Sequence, residues 1–180
     1  MKVAVVYESM FGNTRQVAEA IREGLARHHE AEAWRVADVG SHDLSGLALL
    51  VVGGPTHAWS MSRASTRKAA AKQAADNPGA VTLEPGAVGP GLREWLAGVD
   101  LAGVAVAAFD TRMAVPVVVS GAASRSIARA LRRRGGHFVS ARRSFLVTKL
   151  NTLVDGELAL AREWGEELAE AVSRTPAVLS

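Results

Sequence analysis

Three apolar runs, Lys2 to Tyr7, Leu47 to Val52 and Gly103 to Phe109, constrain this chain most. Each is too short for a core helix and too uniformly apolar for a half-exposed strand, so each reads as a strand buried on both faces. Helical stretches lie between them. In Thr14 to His28, Val17, Ala18, Ile21, Leu25 and Ala26 share one face, with Arg15, Glu19, Arg22 and Glu23 mostly off it. Ala64 to Ala75 is rich in alanine and lysine and reads as a helix, ended by Asn77-Pro78-Gly79. Leu92 to Ala97 reads as a short helix after a Gly- and Pro-containing loop over Ala80 to Gly91. Ser120 to Arg134 places Ile127, Ala128 and Leu131 on its core side, and Gly135-Gly136 closes it. Glu157 to Ser173 is a final helix. Ala33 to Val39 is a weakly alternating second strand. The last strand falls within His137 to Thr148, interrupted by Arg142-Arg143-Ser144. Gly53-Gly54-Pro55 reads as the stop of the third strand.

Strand and helix alternate throughout, the pattern of an α/β protein with a parallel sheet covered by helices on both faces. Right-handed crossovers make it a three-layer, doubly wound sheet. The 180 residues fit one domain, 1–180, and 48% hydrophobic residues supply a sizeable core. In such sheets a ligand lies at the carboxyl ends of the strands. Three loops are therefore expected to carry function: Glu8–Thr14, Gly53–Arg63 and Asp110–Pro116.

Composition removes several chemistries. No cysteine is present, which excludes disulfides, thiolate metal sites and cysteine nucleophiles. A cysteine-free chain fits the cytoplasm. Any redox role must rest on a bound cofactor. No run of about twenty apolar residues predicts a membrane span. The opening MKVAVVY resembles a signal peptide only superficially, because Glu8 interrupts it and no small-residue cleavage site follows. His28-His29 with Glu30 and Glu32 sits at a helix end with poor ligand geometry, so no metal site is expected. The net charge is +3, concentrated in Arg132-Arg133-Arg134 and Arg142-Arg143. A solvated helix end accounts for these arginines better than a nucleic-acid surface does, since aromatic residues are only 5% and do not alternate with basic ones.

The first loop, Ser9-Met10-Phe11-Gly12-Asn13-Thr14, has the chemistry of a phosphate cradle. Small residues let the backbone wrap an anion, and N–H groups at a helix start favour negative charge. Gly12 permits close approach or positive φ. Ser9 and Thr14 can donate hydroxyl hydrogen bonds. The alternative for Asn13-Thr14 is a helix N-cap and nothing more. No lysine follows, so this is not a Walker-type loop.

YESMFGNTRQVAEAI resembles the phosphate-binding signature of flavodoxins, a hydroxyl-rich loop ending in Gly-Asn-Thr before the first helix. GGPTHAWSMSRASTR and FDTRM fall where that family has its second and third flavin loops, and GELALAREWGEELA resembles its closing helix. The resemblance covers the whole chain in order and is closest to small flavodoxin-like proteins with GGPTH…MSR and FDTR loops. It implies a five-stranded sheet of order 2-1-3-4-5 and bound flavin mononucleotide (FMN). It assigns the phosphate to Ser9, Gly12, Asn13 and Thr14, with Met10 and Phe11 in the same cofactor-binding loop. Met10 and Phe11 stand where hydroxyl residues are usual, which makes the cradle rely on backbone N–H groups. The second loop would offer Pro55, Thr56, His57 and Trp59. Trp59 either stacks on the isoalloxazine or packs as an ordinary half-buried residue. His57 either donates a proton or caps the next helix. The third loop would offer Phe109, Asp110, Thr111 and Arg112 to the pyrimidine edge. Arg112 either stabilises an anionic flavin or pairs with Asp110 or Glu8. No second aromatic lies between Asp110 and Gly121, so one flavin face is expected to be open.

The implied function is an FMN-dependent redox protein that shuttles electrons for a redox partner or reduces a small acceptor such as a quinone, as carrier or as enzyme. Its positive charge argues against the docking mode of acidic electron-carrier flavodoxins. Flavin reductases of this fold often form homodimers. The competing reading is a flavodoxin-fold binding or regulatory module that has lost FMN, motivated by Met10 and Phe11.

Overall fold

The computed structural model describes residues 1–57, 59–79 and 81–174; Ala58 of the second loop and Ala80 lie outside the described residues. Strand β1 (Lys2–Tyr7) leads to helix α1 (Asn13–Leu25), strand β2 (Glu30–Arg35), strand β3 (Leu47–Pro55) and helix α2 (Ala64–Asp76). The short helix α3 (Leu92–Trp95) precedes strand β4 (Ala105–Met113), one helical turn α4 (Val117–Ser120) and helix α5 (Ala123–Arg133). Strands β5 (His137–Phe138) and β6 (Arg143–Val147) and helix α6 (Glu157–Arg174) complete the fold.

All strand pairings are parallel, in the order β2-β1-β3-β4-β5, with β6 also on β4. The fifth strand position is shared by two pieces. β5 pairs with Ala105–Val106, and β6 with Phe109–Met113. The polar interruption expected in the last strand is this break, although Arg143 and Ser144 themselves belong to β6.

The buried runs divide by the period-2 rule. Val3, Val5 and Tyr7 of β1, Leu49 and Val51 of β3, and Ala105, Ala107 and Phe109 of β4 enter one core with α1 and α6. Ala4, Val6, Leu50, Val52, Val106 and Ala108 enter the other, with α3 and α5. Phe109, Phe145 and Trp164 meet edge-on or tilted at centroid distances of 6.1–6.4 Å, worth about 0.5–1.5 kcal/mol per pair beyond burial. α1 and α6 cross at Gly24 and Gly165. A Cβ on Gly24 would collide with the Arg162 carbonyl, and one on Gly165 with the Ile21 carbonyl.

Three boundaries depart from the sequence reading. β2 begins at Glu30 rather than Ala33; it is an edge strand whose only buried residue is Trp34. β3 runs through Gly53-Gly54-Pro55 instead of stopping there, paired with Phe109, Asp110 and Thr111 of β4; the glycines are needed because the Phe109 ring and the Leu92 side chain occupy the space of a Cβ on Gly53 and Gly54. The helix expected over Ser120 to Arg134 is broken at Gly121, whose φ of 72° ends α4 before α5 starts at Ala123.

Candidate functional site

A cavity of about 180 Å³ opens at the carboxyl ends of β1, β3 and β4. Ser9, Met10, Phe11, Asn13 and Thr14 line one side, Pro55, Thr56 and His57 another, and Thr111, Arg112, Met113, Val147 and Asn151 the rest. The three loops singled out by the sequence thus converge here. Gly12 lies in the first loop. The side chains of Phe109 and Asp110 turn elsewhere.

The first loop is shaped by Gly12, whose φ of 92° is a left-handed conformation. It stands at the N-cap of α1 without any side-chain cap bond. The Gly12 N–H donates to Ser9 Oγ at 3.1 Å. The loop's apolar middle has its own role. Met10 is buried against Ala70 and Ala87 with Phe11 beside it, and the Met10 carbonyl accepts the Glu84 N–H at 2.8 Å. The side chain of Met10 therefore anchors the loop to the 83–87 segment. The outer rim is closed by Arg15, which donates to Glu84 Oε1 at 2.7 Å.

Asn13 and Thr14 do more than cap. The Asn13 amide donates to the carbonyl and Oδ1 of Asn151, both at 3.0 Å, and so clamps the first loop to the segment after β6. Thr14 Oγ1 lies 2.7 Å from Thr111 Oγ1 in a buried pair. One hydroxyl donates and the other accepts, so one hydroxyl hydrogen remains to donate elsewhere.

The second and third loops are stitched together. The Thr56 N–H donates to the Thr111 carbonyl at 2.8 Å. Thr56 Oγ1 accepts the Ala123 N–H at 2.9 Å and donates to Asp110 Oδ2 at 3.3 Å. Asp110, fully buried, also accepts the Ser124 N–H at 2.8 Å, while its Oδ1 has no partner. Thr56 and Asp110 together thus cap α5. Phe109 belongs to the aromatic core cluster and does not reach the cavity.

Arg112 pairs with neither Asp110 nor Glu8. Its Nη1 donates to the Val115 carbonyl at 2.8 Å and to the Met113 carbonyl and Ser120 Oγ at 3.3 Å, and its buried Nε has no partner. A guanidinium held by neutral oxygens brings an uncompensated positive charge to the cavity wall. Glu8 points to the other side, where its Oε2 accepts the Leu92 N–H at 2.9 Å.

His57 and Ser60 exchange backbone hydrogen bonds at 2.8 and 3.0 Å, closing a tight turn. His57 lines the cavity rather than capping α2, and burial pushes its imidazole pKa below the ordinary value, opposed by Glu8 and assisted by Arg67. Trp59, at the tip of this turn, has a φ of 66°, pairs with the backbone of Gly121 and is 65% exposed. It is neither packed in the core nor on the cavity wall.

Asn151 and Val147 line the cavity from outside the three loops, and Met113 lines it from the third loop without having been given a role. Asn151 carries the one detectable signal, an asparagine in a polar segment after the last strand; it has a φ of 59°, which asparagine tolerates better than most residues.

No protein-family model matches this sequence, and no curated protein does. Solved structures do. A flavodoxin from the domain Archaea matches with TM-score 0.64 and 22% identity over 97% of this chain and 100% of its own. Flavodoxin 2 from Bacillus cereus matches with TM-score 0.62 and 21% identity over 96% and 98%. The flavodoxin of Streptococcus pneumoniae TIGR4 matches with TM-score 0.63 and 15% identity over 94% and 99%. The sheet order, the helices on both faces and these end-to-end matches together give the chain the flavodoxin-like fold.

Proposed function

We propose that this chain is an FMN-binding redox protein that passes electrons to a partner or reduces a small acceptor such as a quinone. The observation that carries the reading is the cavity itself, placed where three strand ends meet an uncapped 13-residue helix whose first turn presents backbone N–H groups. A phosphate fits there: the N–H groups, the spare hydroxyl of the Thr14–Thr111 pair and the charge of Arg112 all favour an anion. A cavity of about 180 Å³ is smaller than a typical ligand pocket of roughly 300–1,000 Å³. It suits the phosphate end of FMN and leaves the flat ring at the mouth, near the turn that carries Trp59. Bound FMN would supply the one- and two-electron chemistry. The protein's residues do the rest. The Asn13–Asn151 clamp holds the cradle closed, Thr56 and Asp110 fix the second and third loops, and a neutral His57 faces the cavity. No aromatic residue occupies the 110–121 segment, which favours an open ring face and a small-molecule acceptor.

A second reading, a flavodoxin-fold module without FMN, is favoured by the occupied side chains: the Asn13 amide and the Thr56 hydroxyl are already engaged within the protein. The visible spectrum of the isolated protein and an FMN titration decide between them. Flavin absorbance, or saturable binding at micromolar FMN, is the expected result; its absence supports the second reading. Turnover of a quinone with NADPH and no added reductase protein would identify an enzyme rather than a carrier.

A further inference from the structure

On the far side of the His57–Ser60 turn, a groove of about 590 Å³ runs between α3, α5 and the segment entering α2. Arg63, Arg93, Arg129, Arg133 and Arg134 line it, with Ser60 and Ser126. These arginines come from three separate parts of the chain. Two of them are held in place by neutral oxygens: Arg93 donates to the carbonyls of Met61 and Ser62 at 3.1 and 3.2 Å, and Arg134 to those of Leu96 and Ala97. Among the described residues, no aspartate or glutamate forms an ion pair with any of the five. Glu94, the acid nearest in sequence, pairs with buried Arg67 instead.

We propose that this groove binds a compact oligophosphate, the di- or triphosphate group of a nucleotide or a free inorganic polyphosphate. Five guanidinium groups around one concavity repel one another, and a multivalent anion relieves that repulsion. Guanidinium forks match phosphate oxygens in geometry. Arg93 and Arg134 are pre-oriented, which lowers the ordering cost of binding. Ser60 Oγ and Ser126 Oγ lie 2.8 Å apart, and one of the pair keeps a hydrogen to donate. The volume lies within the range of small-molecule clefts, and the concave shape favours a small polyanion over the flat face of a macromolecule. The site is separate from the cavity at the strand ends and does not depend on FMN.

Isothermal titration with sodium tripolyphosphate, at low ionic strength, tests the assignment. Saturable binding near one equivalent, weakened by added salt and unchanged by saturating FMN, is the expected result. In the R129A/R133A variant, on the exposed face of α5, the affinity should fall at least about tenfold. Arg63→Ala, at an exposed position, should lower it by a smaller factor and serves if the double variant does not fold. Parallel titrations with ATP and ADP distinguish the sources: tighter binding than tripolyphosphate marks a nucleotide, equal or weaker binding a free polyphosphate. No heat of binding, displacement of tripolyphosphate by FMN, unchanged affinity in the folded arginine variants, or capture of duplex DNA that tripolyphosphate does not displace would each overturn the proposal.

Discussion

The loop 9–14 and the corner of Thr56 and Arg112, backed by buried Asp110, border one cavity by opposite means. In the loop, Gly12 bends the backbone so that the start of α1 is left without a side-chain cap. In the corner, the polar side chains are engaged with the protein itself: Asp110 and Thr56 hold the start of α5, and Arg112 holds the carbonyls before α4. The difference teaches that ligand-like side chains such as those of Thr56 and Asp110 can be structural, while the start of α1 offers backbone groups that no residue type announces.

Breaking the corner should cost the most. Asp110→Ala leaves the Ser124 N–H and the Thr56 hydroxyl without an acceptor inside the protein. Loss of charge-assisted bonds at a buried site should lower stability by about 2–4 kcal/mol, measured by urea denaturation. Gly12→Ala tests the loop. It forces a Cβ onto a left-handed residue and brings it 3.4 Å from Glu84 Oε1. A stability loss of about 1–2 kcal/mol is expected, together with a larger proportional loss of FMN affinity, because the proposed phosphate cradle depends on the loop's geometry.

Thr14→Val probes the start of α1 more finely. It keeps shape but removes the hydroxyl shared with Thr111. FMN affinity should fall by about 0.5–1.5 kcal/mol, read by fluorescence titration, with a stability loss of about 1 kcal/mol because the buried Thr111 hydroxyl loses its partner. The smallest effect concerns His57. Its folded pKa is depressed by burial, so the folded state binds this proton less readily than the unfolded chain. Stability is therefore fully present above the unfolded value, about 6.5, and declines as pH falls from there towards the folded pKa. His57→Gln should flatten that part of the pH–stability curve, measured by thermal melts.

The sheet was legible because strands buried on both faces give uniform apolar runs, and Val3 to Tyr7 could be nothing else. The end of β3 was not, because Gly53-Gly54-Pro55 has the composition of a stop and continues as strand by pairing with Phe109, Asp110 and Thr111, while Phe109 and Leu92 fill the space a side chain would need. The break at Gly121 was hidden for a related reason, since Gly121 packs against Trp59, which is remote from it in the chain. At the site, the three loops could be located from their positions after strands. Their internal wiring could not: the Asn13–Asn151 clamp and the bonds of Thr56 to Asp110 and Ala123 join residues far apart in sequence. The arginine groove shows the same limit. Arg132-Arg133-Arg134 reads as a solvated helix end until the fold brings Arg63 and Arg93 alongside.

Comparing FMN with riboflavin tests the proposed phosphate cradle at the start of α1 most directly. Riboflavin has the same ring and ribityl chain without the phosphate. Titration of the flavin-free protein should give FMN a dissociation constant at least about tenfold lower than that of riboflavin, with the gap shrinking in Gly12→Ala. Equal affinities for the two flavins, or no binding of either, would contradict it.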